Sequence, residues 1–464
     1  MLDRRVRAYL DGHRAEHLAA LKEFLRFESI SAQPSHHGDC QRAAEWLRRR
    51  LTGLGMTVRV EDWLPQPLVM AHGPRREGRP TLLVYGHYDI QPPEPLELWE
   101  SPPFEPTERH GDLYARGASD DKGPVMAWLM AAEAWKETAG ELPINLSFLI
   151  EGEEETGSPA LEQFIAGHTA ELACDYLAIS DTNMPAADKP GITCGLRGII
   201  CAEITLTGAN RDLHSGLYGG AVRNPLHALA TMVAGLHDAD GRVTLPGFYD
   251  NITPPSPLEL EDWRRVAIDE QEFAKELGVD ALPGEKGFSV LERIWARPCL
   301  DCNGLWGGYM GEGPKTVIPA WARAKLSIRL VAKQNAARIA QTLEHYFRTR
   351  CPSGCRSEVQ ILNADEAWVM PADSPALAMA KSAMTEAFGH PCVLIRSGGS
   401  IPVSERFYRH LAVHPLMMGY ALLDDRVHSP NEKFRLDHLY RGAIASAALI
   451  GNLAATGKDP FKGS

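Results

Sequence analysis

Cysteine is scarce in this sequence. Nine residues in a chain of 464 are an odd count, thinly spread, which argues against a disulfide framework and for a reduced, cytoplasmic protein. Long apolar runs are absent too, since none approaches the roughly 20 residues that a bilayer-spanning helix needs. Basic residues are outnumbered, 48 Lys and Arg against 60 Asp and Glu for a formal charge of −12. No Lys/Arg block interrupts that balance, so neither nucleic acid nor an anionic membrane is an expected partner. Trp128 and Trp135, on one expected helix, then read as packing residues rather than a base-stacking platform. The chain has no internal repeat and no low-complexity segment. Its first 27 residues mix charge into every turn and read as an amphipathic helix, not a signal peptide.

What is present is ordinary globular material, 44% hydrophobic and 23% charged, long enough for two or three domains of about 150 residues. Up to about Gly195 the chain alternates helix and strand signals. A helix is expected over 41–54, short apolar stretches at 57–60, 68–71 and 81–85, and a long amphipathic helix over 124–137. Strand-like runs at 144–150 and 176–180 flank a short helix near 158–167. Nearly continuous apolar strands alternating with helices indicate a buried, mostly parallel α/β sheet.

The pattern changes after Gly195. Residues 197–207 and 324–331 alternate in character, and each is followed by a helical stretch, at 225–236 and 335–350. This grouping predicts a smaller α+β domain with a half-exposed sheet. Residues 246–286, rich in Pro, Asp and Glu, read as an insertion of loops and short helix. The α/β style then returns with a helix at 374–388, a turn at Gly398–Gly399, an apolar run at 413–419 and a helix at 438–453. The expected organisation is one α/β domain formed by 1–196 and 372–464, interrupted by an inserted α+β domain of 197–371.

Acidic and imidazole groups collect where these strands end. Residues 81–85 lead into Gly86-His87-Tyr88-Asp89, and His87 and Asp89, two apart in extended chain, share a face. The run 144–150 leads into Glu151-Gly152-Glu153-Glu154-Glu155, 176–180 ends at Asp181, and 413–419 leads to His428. Ser119-Asp120-Asp121 precedes the helix at 124. In a parallel sheet these ends share one edge, where open sheets place their ligands. A lone His-x-Asp is more often a turn, and a lone acidic run more often a solvated loop. Their placement after successive strands points instead to cations, since several carboxylates on one rim repel one another. Candidate ligands from five segments suggest two metals sharing a bridging carboxylate.

The segments Gly86-His87-Tyr88-Asp89, Arg116-Gly117-Ala118-Ser119-Asp120-Asp121-Lys122-Gly123, Glu151-Gly152-Glu153-Glu154-Glu155-Thr156-Gly157, Asp212-Leu213-His214-Ser215-Gly216 and His428-Ser429 resemble, in order, the motifs of the M20 metallopeptidases. The branch they resemble most contains the cytosolic non-specific dipeptidases and carnosinases. The resemblance implies a zinc-exopeptidase-like catalytic domain interrupted by a lid and dimerisation domain. It implies that His87 and Asp181 hold one metal, that Glu155 and His428 hold the other, and that Asp120 bridges both. Asp89 would orient the His87 imidazole, and Glu154 would be the general base that moves a proton from water to the leaving amine. A cis peptide after Asp120 is expected from the same source. His214, by itself an ordinary loop histidine, is implied to reach a partner subunit's site and polarise the scissile carbonyl, which makes a homodimer part of catalysis. Arg329 and Ser400 match positions that hold a substrate carboxylate, and Thr316 joins them; an Arg fork and a Gly-rich loop suit such an anion.

Two departures stand out. Many relatives carry Glu before the Gly-Gly-Ser turn, where this chain has Ser397, and the inserted domain is longer than the minimal lid of acylase members. Residues 308–316 resemble a phosphate loop only faintly, because Pro314 removes a needed N–H. Cys299-x-x-Cys302 and Cys351-x3-Cys355 lie too far apart in sequence to read as one zinc site. The expected function is metal-dependent hydrolysis of dipeptides or short peptides with a free C-terminal carboxylate. The alternatives are an N-acyl-amino-acid deacylase on the same scaffold and a non-catalytic metal-dependent binding protein. Histidine and carboxylate donors suit two zinc ions, while manganese or cobalt would fit the same ligands.

Overall fold

The computed structural model describes residues 1–61, 65–399 and 402–456. Its larger sheet has nine strands. Eight run in the order Thr57–Glu61, Leu68–His72, Asn145–Glu151, Thr81–His87, Tyr176–Ile179, Pro415–Met418, Gly191–Leu196 and Trp368–Val369, and Val393–Ser397 also pairs with Gly191–Leu196. The four strands from Asn145–Glu151 to Pro415–Met418 are mutually parallel, and antiparallel strands flank them on both sides. All seven residues of Asn145–Glu151 and all four of Tyr176–Ile179 are buried. Such strands are covered on both faces, which is why they read as apolar runs rather than alternations.

Helix Lys122–Ala139 packs against the closing helix Leu436–Thr456, which also contacts Pro375–Phe388. An amphipathic helix was expected here, but its buried residues lie all round the axis, as a helix enclosed by neighbours requires. Trp128 Nε1 donates to Ser180 Oγ at 2.8 Å and Trp135 Nε1 to Ala447 O at 2.9 Å, so both tryptophans are packing residues. The helix ends at Gly140, whose left-handed φ of 76° lets its N–H cap Lys136 O. At the N-terminus the single expected helix is two, Arg4–Gly12 and Arg14–Leu25, broken at His13.

The second sheet is antiparallel, ordered Cys299–Gly307, Trp321–Leu330, Gly198–Thr207 and Arg356–Asp365. Strand Gly198–Thr207 alternates buried and half-buried residues without exception. Its inward residues Ile200, Ile204 and Leu206 join Leu326, Leu343 and Phe347 in a core distinct from that of the larger sheet. Helices Pro225–Ala234 and Ala336–Arg350 complete this unit. The two outer strands were not anticipated: they are edges, and of their residues Leu300 alone is buried.

Residues 246–286 and the stretch after them are more helical than expected. Pro257–Val266, Glu270–Glu276 and Val290–Trp295 are helices, and the first and third open with capping boxes, Ser256 with Glu259 and Ser289 with Glu292. The first helix clamps strand Val393–Ser397. Glu259 accepts from Arg396 Nε at 2.7 Å, and Asp262 accepts from Leu394 N at 2.9 Å and Lys381 Nζ at 2.7 Å. Among the described residues, no helix is long and apolar enough to cross a membrane.

Candidate metal centre

Strand Thr81–His87 delivers His87 to the edge of the parallel strands, Tyr176–Ile179 stops just before Asp181, and Asp120 lies just before helix Lys122–Ala139. These segments meet closely. His87 Nε2 is 3.0 Å from Asp120 Oδ1 and 3.8 Å from Asp181 Oδ2. His428 Nε2 is 2.9 Å from Asp120 Oδ2 and 3.2 Å from Glu155 Oε2. Two groups of possible ligands result, His87 with Asp120 and Asp181, and Asp120 with Glu155 and His428; within each, one atom per residue lies within 4.8 Å of the others. Asp120 belongs to both, through different oxygens.

The backbone around Asp120 needs room. The Asp120–Asp121 peptide is cis, and Asp121 Oδ2 accepts the His87 N–H at 3.2 Å. A Cβ on Gly86 would lie 2.7 Å from that same oxygen, so glycine is required where the strand passes the loop.

Asp89 is buried beneath the histidine. Its backbone oxygen is 3.1 Å and its Oδ1 3.4 Å from His87 Nδ1. The main-chain oxygen thus lies closer to the imidazole than the carboxylate that was expected to orient it. The carboxylate also holds the acidic turn, Oδ1 accepting from Glu154 N at 3.2 Å and Oδ2 from Glu155 N at 3.1 Å and Ser31 Oγ at 2.6 Å. Gln91 Nε2 donates to Glu155 Oε2 at 2.9 Å. The acidic run is no solvated loop: Glu151 and Glu153 are buried, and Glu151 accepts hydrogen bonds from Tyr85 and Ser158.

The charges of these groups perturb one another. Burial pushes Glu154 up to about 8, with the charges of Asp181, Asp120 and Glu155 adding to it. Burial and the Asp120 charge push Asp181 well above the usual carboxylate range. Burial alone would lower His87, yet hydrogen bonds to Asp120 and Asp89 outweigh it and hold the imidazole well above its ordinary value. Hydrogen bonds to Asp120 and Glu155 raise His428 to about 10. Asp120 goes the other way: against burial, hydrogen bonds to His428 and His87 hold its carboxyl well below the usual range. Oxygen and nitrogen donors without thiolate suit a divalent cation.

Other anticipated residues lie elsewhere. His214 is exposed on the two-residue strand Leu213–His214, which pairs with Val317–Ile318, and its Nδ1 accepts the Gly216 N–H at 3.0 Å. Thr316 is adjacent, its carbonyl accepting from Ser215 N at 3.0 Å. The fold thus brings His214 and Thr316 together, though neither has a hydrogen bond or ion pair to the ligand groups among the described residues. Arg329 is half-buried on strand Trp321–Leu330, between Ile199 and Cys299 of the neighbouring strands. Ser400 lies outside the described residues. Just before it, Ser397 Oγ accepts the Gly399 N–H at 3.1 Å and Arg197 Nε donates to Gly398 O at 3.3 Å. Asp121 and Glu432 were not anticipated as site residues; both are buried carboxylates that receive backbone N–H groups of the site.

Paired histidine and carboxylate donors gathered beyond the ends of the parallel strands of a mixed sheet are the donor set of the metal-dependent hydrolases. Residues 83–452 match the model of Peptidase family M20/M25/M40, and the chain belongs to that family. It is 31% identical to the Beta-Ala-His dipeptidase of Homo sapiens, over 97% of this chain and 92% of that protein. It is 29% identical to the Cys-Gly metallodipeptidase dug1 of Schizosaccharomyces pombe, over 96% of this chain and 97% of the other. The solved M20 metallo-carboxypeptidase Sso-CP2 of Sulfolobus solfataricus superposes with a TM-score of 0.81 at 29% identity, covering 95% of this chain and 99% of its own. The family resemblance read from the ordered motifs is borne out.

Proposed function

We propose that this protein is a cytoplasmic, homodimeric dipeptidase that hydrolyses dipeptides and short peptides with a free C-terminal carboxylate. The carrying observation is the sharing of Asp120 between two donor groups, with Glu154 beside them and in neither. In this reading His87 and Asp181 hold one divalent ion, Glu155 and His428 a second, and Asp120 both; zinc is the first choice, with manganese and cobalt compatible. When bound, the ions supply Lewis acidity towards the scissile carbonyl and acidify water. Glu154 takes a proton from the attacking water and passes it to the leaving amine. Asp89 keeps it in place by gripping its backbone N–H.

His214 is assigned to the partner subunit's centre, where it polarises the carbonyl being attacked. Its exposure on the smaller unit supports that assignment. Arg329, with Ser400 and Thr316, is assigned to the substrate carboxylate. The proposed catalytic domain comprises 1–196 and 372–464, and 197–371 forms a lid that closes over substrate. The chain passes between the two sheets at Arg197, which joins the loop through Gly398 O. The names of the human and yeast relatives both specify a dipeptide.

The test is turnover of one simple dipeptide by metal-reconstituted protein, beside its N-acetylated and C-amidated forms. Cleavage of the free dipeptide alone is expected. Cleavage of only the acetylated form would move the enzyme to the deacylases, and inertness towards all three would favour a metal-dependent binding protein.

A further inference from the structure

We infer that Glu432 is a positioning residue for the metal centre: its carboxylate locks the backbone that carries Asp120 onto the loop that carries His428. This rests on the proposed reading of Asp120 and His428 as ligands. Glu432 is 1% exposed and follows His428 on the same loop. Its Oε2 accepts from Arg116 Nη1 at 2.7 Å and Gly117 N at 3.0 Å, and its Oε1 from Ser119 N at 3.0 Å and Asp120 N at 3.2 Å. Four donors meet the four lone-pair sites of one carboxylate, so it has no acceptor capacity to spare.

The pattern is more than a buried ion pair. Arg116 takes only one of the four bonds, and the other three go to main-chain N–H groups of a single short loop, including that of Asp120. Those groups converge because Gly117 turns at a φ of 80°, where a Cβ would also lie 2.5 Å from Ile90 Cγ2. The two loops are tied again where Ala115 N donates to Glu432 O at 3.1 Å and Ser119 Oγ to Asp425 Oδ2 at 3.0 Å. Since Asp120 Oδ2 and His428 Nε2 are 2.9 Å apart, a slip of about one ångström between the loops is enough to spoil a shared donor set. Glu432 sets that spacing.

Glu432→Gln leaves one oxygen for four donors and turns an NH2 group towards backbone N–H. Glu432→Asp keeps every acceptor but withdraws the carboxylate by one C–C bond, and covers the case in which the first variant does not fold. Glu259→Gln is the control, a buried carboxylate whose partners are Arg396, Ser256 and Cys194. Zinc affinity is read by chelator competition and ligand geometry by the visible absorption of the cobalt-loaded protein, with circular dichroism to verify folding. Both Glu432 variants are expected to lose roughly 10–100-fold in zinc affinity and to change the cobalt bands, while Glu259→Gln melts earlier but binds zinc like the parent protein. Folded Glu432 variants with parental affinity and spectrum overturn the inference. Failure of the parent protein itself to bind zinc or cobalt overturns the functional reading instead.

Discussion

Asp89 accepts the backbone N–H of Glu154 at 3.2 Å while lying 3.4 Å from His87 Nδ1 through the same oxygen. One buried carboxylate therefore ties the histidine at the end of one strand to the acidic turn after the next. Asp89 and Glu154 are 65 residues apart in sequence.

Asp89→Asn should separate these duties. Asparagine keeps the shape but has one acceptor oxygen, so the turn loses one of its two bonds either way: that from Glu154 N if the amide nitrogen replaces Oδ1, or that from Glu155 N, along with the one from Ser31 Oγ, if it replaces Oδ2. Zinc affinity should fall by roughly 10–100-fold, and kcat should fall even at saturating metal because the turn that carries Glu154 is held less firmly. Calorimetric metal titration and steady-state kinetics check this. An Asn variant with parental affinity and kcat would remove Asp89 from the site.

Glu154→Gln should behave differently. Glu154 is in neither ligand group, so metal affinity should stay within a few-fold of the parent. Loss of a general base costs typically 10²–10⁴-fold in rate, and kcat should fall by about that much. Normal metal binding with full turnover would exclude the general-base assignment.

Complementation tests the shared site. Chains bearing His214→Ala and chains bearing Glu154→Gln are each expected to be inactive. Mixed and allowed to exchange, they should regain up to about a quarter of parental activity, because half of a random dimer population is mixed and each such dimer restores one site of two. Native mass spectrometry confirms that heterodimers form. Heterodimers without activity would show that His214 does not act across subunits.

Legibility in the sequence followed local chemistry. His87, Asp181 and the Glu154–Glu155 turn follow apolar runs that can hardly be anything but buried strands, so their convergence could be argued before any coordinates. The family resemblance supplied Asp120 as a shared ligand, and Asp120 is the residue that belongs to both groups of possible ligands. Strands Cys299–Gly307 and Arg356–Asp365 are hard to read from sequence because edge strands bury little: Leu300 is buried, while Val359 and Ile361 only partly cover the same core. The capping boxes at Ser256 and Ser289 are legible as Ser-x-x-Glu, the first inside a stretch whose proline and acid otherwise read as loop. Glu432 had no signal of its own. A carboxylate that serves backbone N–H groups over 300 residues away depends on tertiary structure alone.

A last prediction concerns pH and stability away from the metal centre. His438 is 2% exposed, with Nδ1 3.2 Å from Tyr420 O and its ring against the edge of Phe388. Burial pushes its pKa from 6.5 down to about 4, and the nearby Arg435 and Arg441 charges act in the same direction, against Asp437 and the Tyr420 carbonyl. Below pH 6.5 the unfolded chain takes up a proton here that the folded chain refuses until about pH 4. The unfolded state binds more protons in that window, so stability is whole above pH 6.5 and is lost as pH falls towards 4, by up to about 3 kcal/mol from this group. His438→Gln removes the titration while keeping a donor for Tyr420 O. Urea unfolding at about pH 7 and about pH 4.5 should show the parent's advantage over the variant shrinking by about 2–3 kcal/mol at the lower pH. An advantage that is the same at both pH values would mean that His438 is not held neutral by the fold.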